Sequence, residues 1–213
     1  MRTLPSVLSL ALISSIASAS APSHPSLPGT CSRVPARIVL VGSNGVQPDV
    51  SQGSFEVAVC RFSLPLQGAQ VAVTHSANAA GVRLGRETDP APTFATCPDQ
   101  VLRFFTDATG TTGMTLTGSV DLGQQAPGVA PTVSIYADGV WFGDVPVVCY
   151  DLDGTGGVGA GDLSAWLTLF GAGDAILVAD YNGSGVLDAD DLSRWFDVFG
   201  SGFETVSATP LCP

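Results

Sequence analysis

Two aspartate-rich loops toward the C-terminal end hold the residues whose types and spacing suggest chemistry. They cover residues 151–162 and 180–191. Each loop begins with an aspartate, has glycine at its sixth position and ends with an aspartate at its twelfth. Every landmark of the second loop follows its counterpart in the first by 29 residues. A duplicated pattern of this kind predicts two equivalent sites for a cation.

The oxygen-bearing positions favour calcium, which takes about six to eight hard oxygen ligands around a sharply turning loop. The predicted ligands of the first loop are Asp151, Asp153, Thr155, the backbone carbonyl of Gly157 and Asp162. Those of the second loop are Asp180, Asn182, Ser184, the backbone carbonyl of Val186, Asp188 and Asp191. The first loop has Gly159 at its ninth position, without a side chain. We therefore expect the second site to be better furnished and to bind calcium more tightly.

Each loop continues into a segment with helical periodicity. Apolar residues follow at i, i+3, i+4 and i+7, which predicts an amphipathic helix after each loop. The two sets are Leu163, Trp166, Leu167 and Phe170, then Leu192, Trp195, Phe196 and Phe199. Gly171 and Gly200 stand where helix C-caps are expected. Two such apolar faces can pack on each other, with calcium closing the loops.

The duplicated loop and the Leu-Ser-x-Trp sequence after it resemble a type I dockerin domain over about residues 151–200. The resemblance implies calcium-dependent folding and docking to a cohesin-like or other extracellular protein, with a carbohydrate context through that partner. Loop positions 10 and 11, where the family often has hydroxyl residues that contact cohesin, are Ala160-Gly161 and Ala189-Asp190 here. We place the dockerin-like module at residues 150–200 and a tail at residues 201–213.

The preceding segment, residues 34–149, predicts an antiparallel β-sandwich. About seven short apolar runs are separated by Gly, Pro, Asn and Asp turns, and no long helical pattern appears. The expected strands are 37–41, 55–62, 69–75, 101–105, 114–122, 132–137 and 145–150. Residues 105–110, 114–118 and 133–139 resemble bacterial immunoglobulin-like (Big-1-like) domains. The fold class expected for the chain is therefore mainly β, an immunoglobulin-like sandwich followed by a small α module.

Charge and motif content exclude several functions. The formal net charge is −11 and the chain has no lysine, so we expect no nucleic-acid partner, because phosphate binding needs a basic face. No P-loop, Gly-x-Ser-x-Gly elbow or His-Glu-x-x-His motif is present. His75 has no evident nucleophile or acid partner in the sequence, and Glu56, Glu87 and Asp89 form no distinctive pair. We predict that the protein is not an enzyme.

The N-terminal end predicts export. Residues 1–19 have a basic start, a short apolar run and an Ala-Ser-Ala cleavage site, as in a secretory signal peptide. Residues 20–33 form a linker rich in proline and serine. No apolar run is long enough to span a membrane. The predicted location is extracellular or on the cell surface.

Five cysteines follow the signal: Cys31, Cys60, Cys97, Cys149 and Cys212. Their wide spacing argues against zinc, and export permits disulfides. Cys149 and Cys212 flank the duplicated loops, which suggests that they pair.

Three functional hypotheses follow from the sequence. The leading one is a secreted, non-catalytic calcium-binding protein whose dockerin-like module anchors it in an extracellular assembly. The second is a secreted polysaccharide-degrading protein with a catalytic middle region. The third is a structural envelope protein whose modules are made rigid by calcium.

Overall fold

A computed structural model describes residues 31–76, 80–96, 100–126, 128–173 and 177–203. The predicted signal peptide, most of the linker and most of the C-terminal tail lie outside the described residues. Cys97 and Cys212 also lie outside them. In the described part of the chain no helix has the length and apolar character needed to cross a membrane.

The structure is mainly β, as the sequence predicts. The strands are β1 (Ile38–Val41), β2 (Ser54–Ala58), β3 (Cys60–Arg61), β4 (Leu64–Pro65), β5 (Gln70–His75), β6 (Val82–Asp89), β7 (Phe94–Thr96), β8 (Val101–Phe105), β9 (Thr111–Val120), β10 (Thr132–Ala137) and β11 (Val140–Cys149). The α-helices are α1 (Val50–Gly53), α2 (Ala160–Ala172) and α3 (Ala189–Phe199), and short 3₁₀ turns cover Leu122–Gln124 and Leu177–Ala179.

Nine strands form one hydrogen-bonded network in the order β2-β9-β1-β11-β10-β5-β8-β7, with β6 also paired to β9. The short strands β3 and β4 form a separate hairpin. Strand β11 belongs to two groups, because its first part pairs antiparallel with β10 and its last three residues pair parallel with β1. This one strand therefore joins the two halves of the sheet and leads directly into the first aspartate-rich loop.

The prediction of a purely antiparallel arrangement was wrong at β1. This strand pairs parallel with both β9 and β11. The reason is the path of the chain. Strand β10 reverses the direction after β9, and the hairpin to β11 reverses it again, so β9 and β11 run the same way. Strand β1 lies between them and runs parallel to both.

Strand β6 was not predicted, although it supplies five of the residue pairs that β9 makes with its neighbours. Its alternation of buried and exposed residues stops after Leu84, and the register with β9 shifts between Leu84 and Thr88. A β-bulge breaks the period-two pattern on which a sequence prediction relies. Residues 115–120 of β9 are all buried and show no alternation either. This part of β9 pairs with both β1 and β6 and therefore lies inside the sheet.

The turn before β9 is built around Asp107, in the segment that resembles Big-1-like domains. Its Oδ1 accepts hydrogen bonds from the hydroxyl and the backbone N–H of Thr109, and these bonds lower the pKa of Asp107. Gly110 follows with φ of 73°, and a Cβ there would lie 2.8 Å from the Leu66 nitrogen and the Val59 oxygen. Glycine is thus required both by the backbone conformation and by the close approach of two other segments.

The cysteines pair differently from the prediction. Cys31 forms a disulfide with Cys60, and Cys149 is a free, fully buried thiol. Its Sγ donates to the backbone oxygens of Gly118 and Asp151, at 3.4 and 3.2 Å. Burial raises the pKa of this thiol well above its usual range. The predicted pairing of Cys149 with Cys212 was wrong because Cys149 ends a central strand and points into the core.

One hydrophobic core extends from the sheet into the two helices. It includes Ile38 and Val148 of the sheet together with Trp166 of α2 and Trp195 of α3. The predicted module boundary at residues 149 and 150 falls inside this cluster.

The buried face of each helix is displaced from the predicted one. The buried helix positions are Asp162, Trp166 and Leu169 in α2, and Asp191, Trp195 and Val198 in α3. Four predicted face residues are instead about half exposed: Leu167, Phe170, Phe196 and Phe199. The last aspartate of each loop is drawn inward by its hydrogen bonds, and this fixes the rotation of the helix that follows. The C-cap of α2 is Gly173, in the left-handed conformation, rather than Gly171, whereas Gly200 caps α3 as predicted.

Candidate metal centre

The first loop is organised by two aspartates whose carboxylates accept backbone N–H groups. Asp151 accepts from Gly154 at Oδ1 and from Gly156 and Gly157 at Oδ2, over 2.8 to 3.1 Å. Asp162 closes the loop from the other end. Its Oδ1 accepts from the amides of Leu152 and Asp153, and its Oδ2 accepts from the amide of Gly159.

The second loop repeats four bonds of this network at the same interval. Asp180 accepts from Gly183 and Ser184 at Oδ1 and from Gly185 at Oδ2. Asp191 accepts from the amides of Asn182 and Asp188. The first and last aspartates of both loops therefore have the same structural task, which is to hold a run of backbone N–H groups on the inside of a tight turn.

The helices begin in the same way after each loop. The N-cap residues are Gly159, with φ −144° and ψ −168°, and Asp188, with φ −140° and ψ −171°. At the third helical position Asp162 and Asp191 accept the N–H of their own N-cap residue, which is half of a capping box. A carboxylate at this position also interacts favourably with the positive end of the helix dipole. Loop closure and helix initiation thus depend on one side chain.

Three carboxylates meet in the first loop. Asp151, Asp153 and Asp162 each offer an oxygen, and these oxygens lie within 4.8 Å of one another. Asp151 and Asp162 are buried, and among the described residues no basic side chain forms an ion pair with any of the three. Burial, followed by the charge of Asp162, raises the pKa of Asp151 from 3.8 to about 6. Burial also raises the pKa of Asp162. Binding of a cation would neutralise these carboxylates and so lower the free energy of the site.

The second loop carries less negative charge at the corresponding place. Asn182 replaces Asp153, and the Asp188 carboxylate caps α3 by accepting the N–H of Asp190 at 2.9 Å. Ser184 uses its hydroxyl to donate to the Val186 carbonyl at 3.0 Å. In the described chain a cluster of three or more acidic ligands occurs in the first loop and not in this one. The arrangement of carboxylates thus favours cation binding at the first loop, whereas the sequence predicts the tighter site at the second.

Arg37 is a functional candidate that the sequence did not reveal. It precedes β1, and its guanidinium donates to the backbone oxygens of Asp180 at 2.8 Å and Tyr181 at 3.1 Å. Its Nη1 also lies 3.7 Å from Asp180 Oδ1. Because 143 residues separate Arg37 from Asp180, no local spacing could have predicted the contact. A positive charge already lies beside the second loop.

Both loops are held directly against the sheet. Val120 and Leu122 donate their N–H groups to the backbone oxygens of Asp151 and Leu152, which extends the line of β9 into the first loop. The Tyr150 and Tyr181 rings, whose centroids are 4.2 Å apart, stack between the two loops. The Tyr181 hydroxyl donates to the Cys149 carbonyl at 3.2 Å. The β-rich part of the chain therefore forms one wall of each loop.

The donor set suits a hard cation. Every predicted ligand offers oxygen, as carboxylate, amide, hydroxyl or backbone carbonyl. The nearby Cys149 thiol is not among the predicted ligands, because it donates hydrogen bonds to two backbone carbonyls. Oxygen-only ligand sets favour calcium or magnesium over zinc and copper. Gly161 supports this arrangement, because a Cβ there would overlap the Asp153 carboxylate. The small residue at loop position 11 therefore lets Asp153 fold back toward Asp151.

No protein-family model, curated protein or solved structure matches this chain. The duplicated network, the carboxylate cluster and the contacts with the sheet therefore carry the functional interpretation.

The acids and the histidine considered for catalysis lie apart from this centre. Glu56 is on the edge strand β2 and pairs with Arg33 at 3.4 Å, while Glu87 and Asp89 are on β6. Strands β2 and β6 are neighbours of β9 rather than of each other. His75 ends β5, beside Val133 of β10.

The raised pKa of Asp151 predicts how the metal-free protein responds to pH. A carboxyl with a higher pKa in the folded state binds its proton more tightly there than in the unfolded chain. Its contribution to stability is then largest below about pH 4 and is lost as the pH rises through about 6. We expect the free energy of unfolding to fall by on the order of 2 kcal/mol across this window. Urea unfolding at several pH values, after removal of divalent cations, measures the change.

The matched control for this experiment is Asp151→Asn, which keeps the shape of the side chain and removes its titration. The decline should be clearly smaller in this variant. It should also disappear from the wild-type protein in calcium, because the bound ion replaces the proton in neutralising the cluster. A wild-type stability that rises between pH 4 and 6 by more than that of the variant would contradict the interpretation.

Proposed function

We propose that this chain is a secreted, non-catalytic calcium-binding protein whose duplicated loops form an anchoring module in an extracellular assembly. The observation that carries the proposal is the hydrogen-bond network shared by the two loops at the same interval. Sequence duplication alone could be fortuitous. Four equivalent bonds between these aspartates and the loop amides recur in both loops, which supports a common turn whose remaining oxygens are free to bind a cation.

Calcium would act on structure. Asp151, Asp153 and Asp162, with Thr155 and the Gly157 carbonyl, would hold the ion of the first loop. Asp180, Asn182, Ser184, Asp188, Asp191 and the Val186 carbonyl would supply the second. A bound ion neutralises carboxylates that are otherwise buried together, so binding energy becomes folding energy. This supports a role in making the join between sheet and helices rigid, which is also what the structural envelope hypothesis requires.

The two loops should differ in affinity, with the first the stronger. Three carboxylates meet in the first loop, whereas the second loop has Asn182 at the position of Asp153. In the second loop Asp188 also caps α3, and Arg37 lies beside the leading aspartate. Ligand charge is one of the main determinants of calcium affinity in such loops. This ranking is the reverse of that expected from the sequence. That expectation rested on the number of ligand side chains in each loop and did not include the long-range contact of Arg37.

A partner surface is available on the helices. Leu167 and Phe170 of α2 and Phe196 and Phe199 of α3 occupy equivalent positions and are each about half exposed. Phe170 and Phe199 stack on the buried Trp166 and Trp195, with centroids 5.3 and 5.1 Å apart. Their position on helices that begin at the loops supports calcium-dependent docking of an extracellular protein, as the resemblance to dockerins implies. A cohesin-like protein is the partner class proposed.

Calorimetric titration of the chelated protein with calcium tests the proposal. We expect saturable binding in the wild type, with the tighter phase weakened at least tenfold by Asp153→Asn. In contrast, Asn182→Asp should strengthen the weaker phase, because it places a carboxylate at the position that corresponds to Asp153 of the first loop. Asp190→Asn, which alters an exposed acid of the second loop that is not a predicted ligand, is the matched control and should change neither phase.

Absence of calcium binding would overturn the whole proposal. The anchoring role is tested separately with the immobilised protein and the exported proteins of its source. Retention of a partner only in calcium, and its loss in Phe170→Ser with Phe199→Ser, supports docking. Calcium binding without any retained partner would instead favour a purely structural role.

A further inference from the structure

A row of side chains crosses one face of the sheet, on strands other than those that contact the aspartate-rich loops through β9. Strand register places five residues directly beside one another on five neighbouring strands. We call this set the aromatic row; in order it consists of Trp141, Tyr136, Ala72, Arg103 and Phe94. Neighbouring strands are about 4.8 Å apart, so the row is roughly 19 Å long.

The alternation of the strands directs this row to solvent. Val71, Val73, Leu102 and Ile135, which flank members of the row in sequence, are fully buried on the opposite face. Trp141 and Phe94 at the two ends are 57% and 58% exposed. Tyr136, Ala72 and Arg103 between them are partly exposed. The row thus has a large exposed aromatic ring at each end, and exposed apolar groups arranged in this way mark candidate binding surfaces.

Hydrogen bonds hold the polar members of this face in fixed positions. Asp144 accepts from the Trp141 indole N–H at 3.3 Å and from the Ser134 hydroxyl at 2.5 Å. At the other end, Arg103 Nη1 donates to the Thr96 hydroxyl at 2.6 Å. These bonds restrict the Trp141 ring and the Arg103 guanidinium before any ligand arrives. Such preorganisation reduces the entropy lost on binding.

The charge of the face identifies the class of ligand. The protein has a net charge of −11, but the aromatic row and the adjacent Asp144 and Ser134 contribute one positive and one negative group, which balance. A polycation or polyanion would find no complementary field here. An uncharged chain that offers apolar C–H faces to the rings and hydroxyls to the polar groups would match it. Aromatic rings with a polar handle are suited to such amphipathic surfaces.

We propose that the aromatic row is a binding platform for an uncharged polysaccharide chain. The chain would lie across the five strands, with sugar rings against Trp141 and Phe94 and hydroxyls bonded near Arg103 and Tyr136. This activity is binding without cleavage, and it does not depend on the metal loops. It would give the protein a second attachment point, at the first part of β11, which pairs with β10.

Affinity electrophoresis of the full chain in gels containing neutral polysaccharides tests the platform. The probes are hydroxyethylcellulose, xylan and galactomannan, with polygalacturonate as the anionic comparison. We expect retardation by at least one neutral polymer, and at least a tenfold weakening in Trp141→Ala and in Phe94→Ala. Phe62→Ala is the matched control, because Phe62 is 74% exposed but lies in the hairpin between β3 and β4.

Tryptophan fluorescence gives a second readout. Trp141 is exposed, whereas Trp166 and Trp195 are each 1% exposed, so the retarding polymer should shift emission in the wild type and not in Trp141→Ala. If Trp141→Ala proves unfolded by circular dichroism, Phe94→Ala decides the result. The proposal would be overturned if no neutral polymer retarded the protein or if polygalacturonate alone did so. It would also be overturned if Trp141→Ala and Phe94→Ala were retarded as strongly as the wild type. The last outcome would indicate a protein ligand or another surface.

Discussion

Asp162→Ala should destabilise the protein by roughly 3 kcal/mol, even in the absence of calcium. The Asp162 side chain accepts the backbone N–H groups of Leu152, Asp153 and Gly159, and it is 1% exposed. Alanine would leave these three donors without an acceptor at the point where loop, strand and helix meet. Relief of the repulsion from Asp151 offsets part of the loss. Urea unfolding in chelator, followed by circular dichroism, measures the effect.

The equivalent substitution in the second loop provides an internal comparison. Asp191 accepts two backbone N–H groups rather than three, so Asp191→Ala should cost less than Asp162→Ala. Asp190→Ala, on the exposed side of the same helical turn, should change stability by no more than about 0.5 kcal/mol. Equal effects of Asp162→Ala and Asp190→Ala would show that the network does not hold the loop closed.

Trp166→Ala should cost about 3 to 5 kcal/mol, the range for removal of a large aromatic from a packed core. Trp166 is 1% exposed and belongs to the cluster that joins α2 to the sheet. Trp166→Phe should cost much less, at most about 1.5 kcal/mol, because the ring volume is largely retained. In addition, the indole N–H has no hydrogen-bond partner in the described structure, so phenylalanine removes an unsatisfied buried donor.

Leu167→Ala serves as the control for the tryptophan series. This neighbour on α2 is 51% exposed, and its truncation should have a small effect on the free energy of unfolding. Thermal unfolding of the three variants in calcium provides the comparison. A phenylalanine variant as unstable as the alanine variant would indicate that the indole nitrogen makes a contact essential to the fold.

The linear pattern determined the most local features. Aspartate and glycine at loop spacing predicted turns that the structure forms, because a carboxylate reaching back to nearby N–H groups is a local interaction. The predicted pH response and the two loop substitutions therefore concern residues that the spacing alone had identified. The β-strands with regular alternation, such as residues 101–105 and 132–137, were placed correctly for the same reason.

The pattern failed where the outcome depended on distant segments. Strand β6 was missed because its bulge exists only in register with β9, and the parallel pairing of β1 depends on the path of the whole chain. Amphipathic periodicity also misplaced the helix faces. Leu167 and Phe170 satisfy the apolar spacing, but the inward pull on Asp162 rotates α2 so that Leu169 is buried in their place.

The sequence by itself determined that two oxygen-rich loops recur at one interval, that each leads into a helix, and that the preceding segment is mainly β. These properties depend on neighbours along the chain. Only the tertiary structure decided which loop has the less compensated negative charge, since Arg37 reaches Asp180 across 143 residues. It alone also aligned Trp141, Tyr136, Arg103 and Phe94, because strand register brings together side chains that no sequence interval relates.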